Sequence, residues 1–545
     1  MRVNMVLRRR DTALLLLAAV PPMLEMGILV GLGFFAAQPL APQATAVWPY
    51  DSYHDLRWLL VYHNSWATFL LGLVVAVVLR GVLSAGLTAL AWPAELDRPS
   101  WRWLVLRNLE VATIAVLIIS PWAALSVAFS AVALSWYLFA SVVPMLLIAP
   151  FLQRAGVAQH WWRGLPSVDM LGWSSLNFLV LTLGGAVIVS VPAWAGILVA
   201  GLAGGVNALL WRRTVQAAAR RPVRWPRVPV APIAIVITMI AAVGMPPLVK
   251  IAGGGRGDWS PPLVSQPLPE RVPYAVIVLA GYESSWDGQP PVDPRVERFS
   301  YAGLDPAGRP LPYGPQDTHR SLESSAVLLA KQAEELHRRT SRPVALAGES
   351  EGALVIRTYL DKLPPEPVTA AMLYSPLIWP GRVYYPPPGR DGWGVVAGWE
   401  LRVIAGVLNL MREVDAGPDL PFIRSVIVEA PFYRNRILCP VPGVRMIAFL
   451  PLVGAAEAPP GEYSQIPVVE VPALHGDVLS REDTYEQTIN FLAGEEVEQP
   501  IRVYEVVQRL GAAWQPPPLV LDVHPLWSVG REGDPARSGR ICEAR

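Results

Sequence analysis

The sequence predicts a multi-span α-helical membrane bundle, about seven helices, followed by an α/β domain built on a mostly parallel sheet. Three observations predict it. The 545 residues are 52% hydrophobic and only 16% charged, with 21 Trp, values typical of membrane proteins. The apolar character is confined to the chain up to about residue 251, beyond which a proline-rich, ordinary soluble pattern takes over. In that second part short apolar runs alternate with amphipathic helical patterns, as strands joined by crossover helices require.

Other classes are disfavoured by the same inventory. A net charge of +1 supplies no basic face for nucleic acid and says nothing of acidic partners. Two cysteines make neither a disulfide framework nor a zinc site of the usual spacing. No phosphate-binding loop, metal cluster or coenzyme fingerprint is legible, so no cofactor and no metal are expected. The partners expected are a lipid bilayer and a small apolar or lipidic substrate, and the sequence names no protein partner.

The first part, residues 1–252, carries apolar spans at roughly 12–36, 59–79, 109–129, 131–152, 171–191, 193–211 and 229–249, each long enough to cross a bilayer. The block 109–152 is too long for one span and is divided near Ser130. Arg8, Arg9 and Arg10 followed by an apolar run resemble a signal peptide, but the run is long, broken by Pro21-Pro22, and followed by further spans. It reads as a retained helix. Arginines cluster before the first span, after the second (Arg80, Arg98, Arg102, Arg107), after the fourth (Arg154, Arg163) and after the sixth (Arg212 to Arg227). These are alternate loops, so the positive-inside rule places the N-terminus in the cytoplasm and everything after Lys250 outside it. The expected location is a bacterial plasma membrane. Glu25, near the middle of the first span, is either functional or paired with a neighbouring helix. The stretch Trp48 to Arg57 mixes aromatics with charge and reads as an interfacial anchor or a floor for the outer domain.

Residues 253–269 are a linker by composition, rich in Gly and Pro. The domain 270–495 opens with the buried-strand run Tyr274 to Ala280, ending in Gly281-Tyr282. Val296 to Tyr301 is a second strand. Asp317-Thr318 caps a helix running to about Arg339. Further strands follow at 344–347, 368–373, 444–452 and 468–471, and a helix at 482–492. Residues 377–440 break this rhythm. An insertion there reads as a cap, with Trp393, Trp399, Tyr384 and Tyr385 available to line an apolar pocket. The alternative is a surface decoration. Residues 496–545 form a tail expected to pack on the α/β domain.

At the centre stands Gly348-Glu349-Ser350-Glu351-Gly352, between an apolar run and a helical pattern. Strand, sharp turn, serine and helix make a nucleophile elbow, in which small flanking residues let the backbone turn and expose the hydroxyl. A serine hydroxyl needs a base within reach. Of seven histidines, His475 is best placed, just past the last predicted strand. Glu457, in the loop after the preceding strand, would orient that histidine; Glu462 in the same loop is the substitute, and Asp477 ranks lower. Backbone amides of Tyr282 and Glu351 are the candidate oxyanion donors. The carboxyls of Glu349 and Glu351 would repel a strongly anionic acyl group if ionised and facing the pocket; they can equally face the flanking helices.

The order Ser350, Glu457, His475, each at or after a strand end, together with the GxSxG elbow, resembles the α/β-hydrolase superfamily over roughly 270–495. The whole chain is similar to bacterial membrane proteins that carry such a domain after several spans. The resemblance implies an α/β-hydrolase sheet with a cap insertion and an esterase- or lipase-like serine hydrolase, acyl transfer being the same chemistry without water. A bilayer tether and an aromatic insertion then suggest an apolar or lipidic ester or thioester. The rival expectation is a transporter or lipid-handling bundle whose outer domain only binds. In an extracytoplasmic domain Cys439 and Cys542 can pair, stapling the tail back onto the domain.

Overall fold

The computed structural model describes residues 2–132, 136–220, 224–238, 240, 259–378, 385–412, 417–426, 437–457, 465–497, 503–517 and 542. N-terminal apolar helices are followed by a domain whose six-stranded, all-parallel sheet lies among helices.

In the N-terminal part, α1 (Arg2–Leu32), α3 (Trp66–Ala91), α4 (Trp101–Val132), α6 (Val168–Ser190) and α7 (Ala193–Arg220) are each long and apolar enough to cross a membrane. Between α1 and α3 lie a 3-10 stretch, Phe35–Thr45, and the short helix α2 (Tyr50–Val61). The helix α5 (Trp136–Ala155) follows α4; its apolar stretch Ser141–Ala155 is shorter than a span. The seventh expected span starts as helix at 230 and runs out of the described residues. Small residues at a spacing of four, Gly196, Ala200 and Gly204, let α7 close on α1. A Cβ on Gly204 would collide with the Ala18 carbonyl, and one on Gly201 would stand 2.7 Å from Met23. This is the close-approach packing that helices use where lipid removes the hydrophobic drive.

Three sequence expectations change here. The second span is displaced, because the apolar end of α2 merges in sequence with the start of α3. The two are separated at Ser65, whose hydroxyl accepts from the Thr68 amide and caps α3. Arg80 consequently lies inside α3 rather than in a loop. Its guanidinium bonds both oxygens of Asp55, at 2.6 and 2.5 Å, so it is no loop charge. The stretch 48–57 is a buried floor and not an interfacial anchor: Trp48, Tyr50, Tyr53 and Arg57 are buried. His54 joins Glu25 and Asp55, each at 2.9 Å. Glu25 thus ties the proline-containing α1 to α2, the pairing that a carboxyl at this depth needs.

The sheet runs in the order β2 (Val296–Arg298), β1 (Ala275–Leu279), β3 (Val344–Glu349), β4 (Val368–Tyr374), β5 (Arg445–Pro451), β6 (Val468–Val471). Because side chains alternate along a strand, each strand feeds two cores. Ala275, Ile277, Leu279 and Leu346 meet the helices Leu322–Thr340 and Glu351–Lys362 on one face. Val276, Val278, Ala345 and Met372 meet the helix Glu482–Ala493 on the other. Burial on both faces explains the uninterrupted apolar runs. Part of the segment read as a linker joins this second core, since the turn Pro262–Ser265 buries Leu263 and Val264 there. The helix before β3 is capped by Ser321, whose hydroxyl accepts from the Ser324 amide. Asp317 and Thr318 lie in a separate 3-10 turn, Pro315–His319.

Two segments join the parts. The insertion helix, Val395–Arg412, begins on the bundle: His63 Nε2 accepts from the Val396 amide at 2.9 Å and the His63 carbonyl accepts from Gly394 at 2.9 Å. Of the aromatics expected to line a pocket, Trp393 packs against the bundle core, Trp399 is exposed and Tyr385 is buried. Tyr384 falls outside the described residues. The tail helix Val503–Gly511 and the turn Ala512–Trp514 dock on both parts. Trp514 stacks on Phe178 of α6 with centroids 4.4 Å apart and meets Tyr50 edge-on at 5.8 Å. Arg57 donates to the carbonyls of Ala513 and Gln515 at 3.2 and 2.6 Å. The tail therefore touches the bundle as well as the α/β domain. Cys439 and Cys542 are joined as a disulfide with Cα atoms 5.4 Å apart.

Candidate active site

Parallel strands end together, and open sheets of this kind place functional groups beyond their carboxyl ends. β3 is flanked by β1 and β4, so a residue just past it is surrounded by the loops of both. That residue is Ser350. It adopts φ 56°, ψ −112°, a strained conformation that persists only when its surroundings enforce it. Its amide donates to the Tyr374 carbonyl at 3.0 Å and its carbonyl accepts from Ala353 at 3.1 Å as the helix begins. The flanking glycines explain the sharpness of the turn. A Cβ on Gly348 would stand 2.6 Å from the Gly352 carbonyl, and one on Gly352 would stand 2.7 Å from Leu279 Cβ. Strand and helix can pass at this distance only without side chains.

His475 follows β6 and its ring reaches Ser350, with Nε2 2.8 Å from Oγ. The two residues are 125 apart in the chain. The imidazole is half-buried, and burial pushes it down to about 4. Above that pH the ring is neutral, and in the tautomer protonated at Nδ1 its Nε2 accepts from the Ser350 hydroxyl.

In the sequence Glu349 reads only as a charge flanking Ser350. It is buried, and its carboxylate accepts from the amides of Val478 and Leu479 at 3.1 and 3.3 Å. It therefore fastens the loop that carries His475 to the strand that carries Ser350. Burial pushes this carboxyl up to about 7, against the two amides and the Trp259 side chain that favour its ionised form. No local sequence pattern announces the bond, because its partners are backbone amides far along the chain. Glu351 is also buried, and neither of its carboxyl oxygens has a hydrogen-bond partner among the described residues. Burial, with Glu283 nearby, holds it well above the carboxylate range. Glu349 thus turns toward the loop after β6.

The two expected oxyanion donors follow β1 and open the helix after Ser350. A Cβ on Gly281 would come within 3.2 Å of Ser350 Cβ, so the Gly281-Tyr282 turn lies directly against Ser350. The Tyr282 ring is held between His319 and Phe422, with centroids at 5.2 and 5.0 Å. His319 in turn bonds Glu283 at 2.6 Å. The amide of Glu351 is the first of its helix, a position with no acceptor inside the helix. Glu457 closes the 3-10 turn Leu452–Glu457 just after β5, on the same edge of the sheet. Its side chain, and the whole of Glu462, lie outside the described residues. Among the described residues no carboxylate bonds His475 Nδ1, and no group of three or more His, Cys, Asp or Glu is arranged to hold a metal.

The structure thus brings together Ser350, His475, Gly348, Gly352, the Tyr282 turn and the start of the Glu351 helix. Compared with protein-family models, with curated proteins and with solved structures, the chain matches none.

Proposed function

We propose that this protein is a membrane-anchored serine hydrolase of α/β-hydrolase type, cleaving an ester or thioester of an apolar or lipidic acyl compound. The observation that carries the reading is the 2.8 Å contact between His475 Nε2 and the Oγ of a serine held at φ 56°. Ser350 Oγ attacks the acyl carbon while its proton passes to His475. The oxyanion is met by the amides of Tyr282 and Glu351. Collapse expels the alcohol or thiol, which takes the proton from His475 and leaves an acyl-serine. Water, deprotonated by the same imidazole, then releases the acid and restores Ser350.

The insertion 377–440 acts as the cap, and the bundle of about seven spans keeps its N-terminus in the cytoplasm. Without Arg80, and with the 20-residue helix α5 counted as a crossing, Arg98, Arg163 and the cluster from Arg212 onward still alternate in favour of an extracytoplasmic catalytic domain. The partly buried cluster of Glu25, His54, Asp55 and Arg80 favours a second reading, a transporting or lipid-handling bundle with a non-catalytic outer domain.

Esters of graded acyl length, offered to the full chain, separate the readings. Turnover is expected to rise with chain length and to fall at least ~10⁴-fold in Ser350→Ala. Equal turnover by both proteins overturns the hydrolase reading.

Glu457 is proposed as the acid behind His475. A carboxylate there raises the imidazole pKa, opposing the burial that alone places it at about 4. The base works only when neutral, so kcat/KM falls as pH drops through this pKa. In Glu457→Gln the acid limb is expected to move down toward about 4, with kcat lowered by ~10⁴-fold. An unmoved limb in the pH–rate profile assigns the role to another acid, Glu462 first.

A further inference from the structure

The first turn of the insertion helix Val395–Arg412 is covered by the bundle, and an apolar stripe further along the helix is not. Val395, Val396 and Ala397 are buried in the same core as Val111, Ala115 and Trp122 of α4. Glu400 accepts a hydrogen bond from Ser120 of α4. Further along the helix Trp399, Val403, Val407 and Leu410 are exposed by 41, 64, 47 and 88%. At 100° per residue these four fall within an arc of about 80°. A stripe this apolar is costly in water and signals a buried interface.

We propose that this stripe lies in the outer-leaflet boundary of the bilayer, so that the cap is itself seated in the membrane and admits substrate to Ser350 from lipid. Three features select a bilayer over a second copy or a soluble partner. The helix is docked on a membrane-spanning helix, and it also packs against α3, whose own exposed residues Leu70, Leu71 and Val74 form a lipid-type face. Ser120 stands about 28 Å along α4 from Trp101. With the cytoplasmic arginines at the start of α4, that is close to the outer edge of a hydrocarbon core about 30 Å thick, where an amphipathic helix lies flat. Glu400 is at that level, at the boundary where a carboxyl is tolerated.

The helix is also linked to the reaction centre. Arg402 bonds Asp419 at 2.7 Å, Asp419 pairs with Arg424, and between them Phe422 stacks on Tyr282. The membrane seat is thereby joined to the turn that supplies an oxyanion amide. The route to Ser350 rests on the hydrolase reading, whereas the seat of the helix does not.

Both are tested on the full chain in phosphatidylcholine nanodiscs. The native cysteines are paired, so nitroxide labels can be placed singly at Val403→Cys, Val407→Cys and, as a water-facing control in the α/β domain, Val327→Cys. Labels at 403 and 407 are expected to relax several-fold more with oxygen relative to a water-soluble nickel chelate than the label at 327. The same ratio at all three sites overturns the membrane seat. In a second arm, Val403→Asp combined with Val407→Asp is expected to lower turnover of a vesicle-embedded long-chain ester at least 10-fold. Turnover of a short soluble ester should be unchanged. An equal loss on both esters, or no loss on either, overturns the lipid route. If the intact chain cleaves neither ester, the hydrolase reading and the route fall together, and the spin-label ratio still decides where the helix sits.

Discussion

His475→Ala is expected to lower kcat for any ester that the protein cleaves by ~10⁴- to 10⁶-fold, with KM changed little. The imidazole is the only described side chain hydrogen-bonded to Ser350 Oγ, and an unassisted serine hydroxyl is a poor nucleophile at neutral pH. Removing the ring leaves the elbow intact, because its geometry rests on Gly348, Gly352 and backbone bonds rather than on the histidine. Substrate binding should therefore survive while chemistry fails, a pattern read by steady-state kinetics. The smaller residual rate would report what the oxyanion amides supply alone. A loss confined to KM would mean that His475 only binds.

The second large effect is expected far from the serine. Trp514→Ala removes the ring that stacks on Phe178 and donates to the Thr182 hydroxyl at 2.9 Å. Truncating a buried tryptophan costs about 3–5 kcal/mol. Neighbouring contacts depend on the same seat: Gln43 and Arg57 of the bundle both reach the Ala513 carbonyl. The segment also holds the turn before Glu457, through Gln515 Nε2 donating to the Ala456 carbonyl at 2.9 Å and through Gly511, where a Cβ would collide with that carbonyl. In Trp514→Ala, amide exchange of 503–515 is expected to accelerate at least 10-fold, and kcat to fall with it if Glu457 orients His475. Gly185→Leu, which would drive a side chain into Ala513, should reproduce the exchange result without touching the tryptophan. Unchanged exchange in both variants contradicts the docking of the tail on α2 and α6.

Much of the α/β domain is legible in the sequence because its signals are local. Buried parallel strands show as apolar runs, and the elbow shows as two glycines around a serine. The position of His475 follows from counting strands. What escapes is whatever depends on pairing across distance. Arg80 looks like loop charge until Asp55 is found against it. Glu349 looks like a flanking carboxylate until the amides of Val478 and Leu479 are seen to cover it. The displaced start of α3 carried a local signal, Asn64-Ser65 ahead of an apolar run, which capping chemistry identifies. Of the tail, its packing on the α/β domain and the Cys439–Cys542 pairing are legible, and its seat on the bundle is not. Nothing in its composition says that Trp514 fits between α2 and α6, because the shape of that gap is set by Tyr50, Tyr53 and Phe178, more than 300 residues away.

The most direct test of the central claim is covalent labelling of the full chain in membranes by a fluorophosphonate, followed by mapping of the modified residue. A serine activated by His475 reacts through its hydroxyl, so the account predicts one adduct, on Ser350. The adduct should be lost in Ser350→Ala and strongly slowed in His475→Ala. An intact chain that remains unlabelled, or a label that persists in Ser350→Ala, would contradict it.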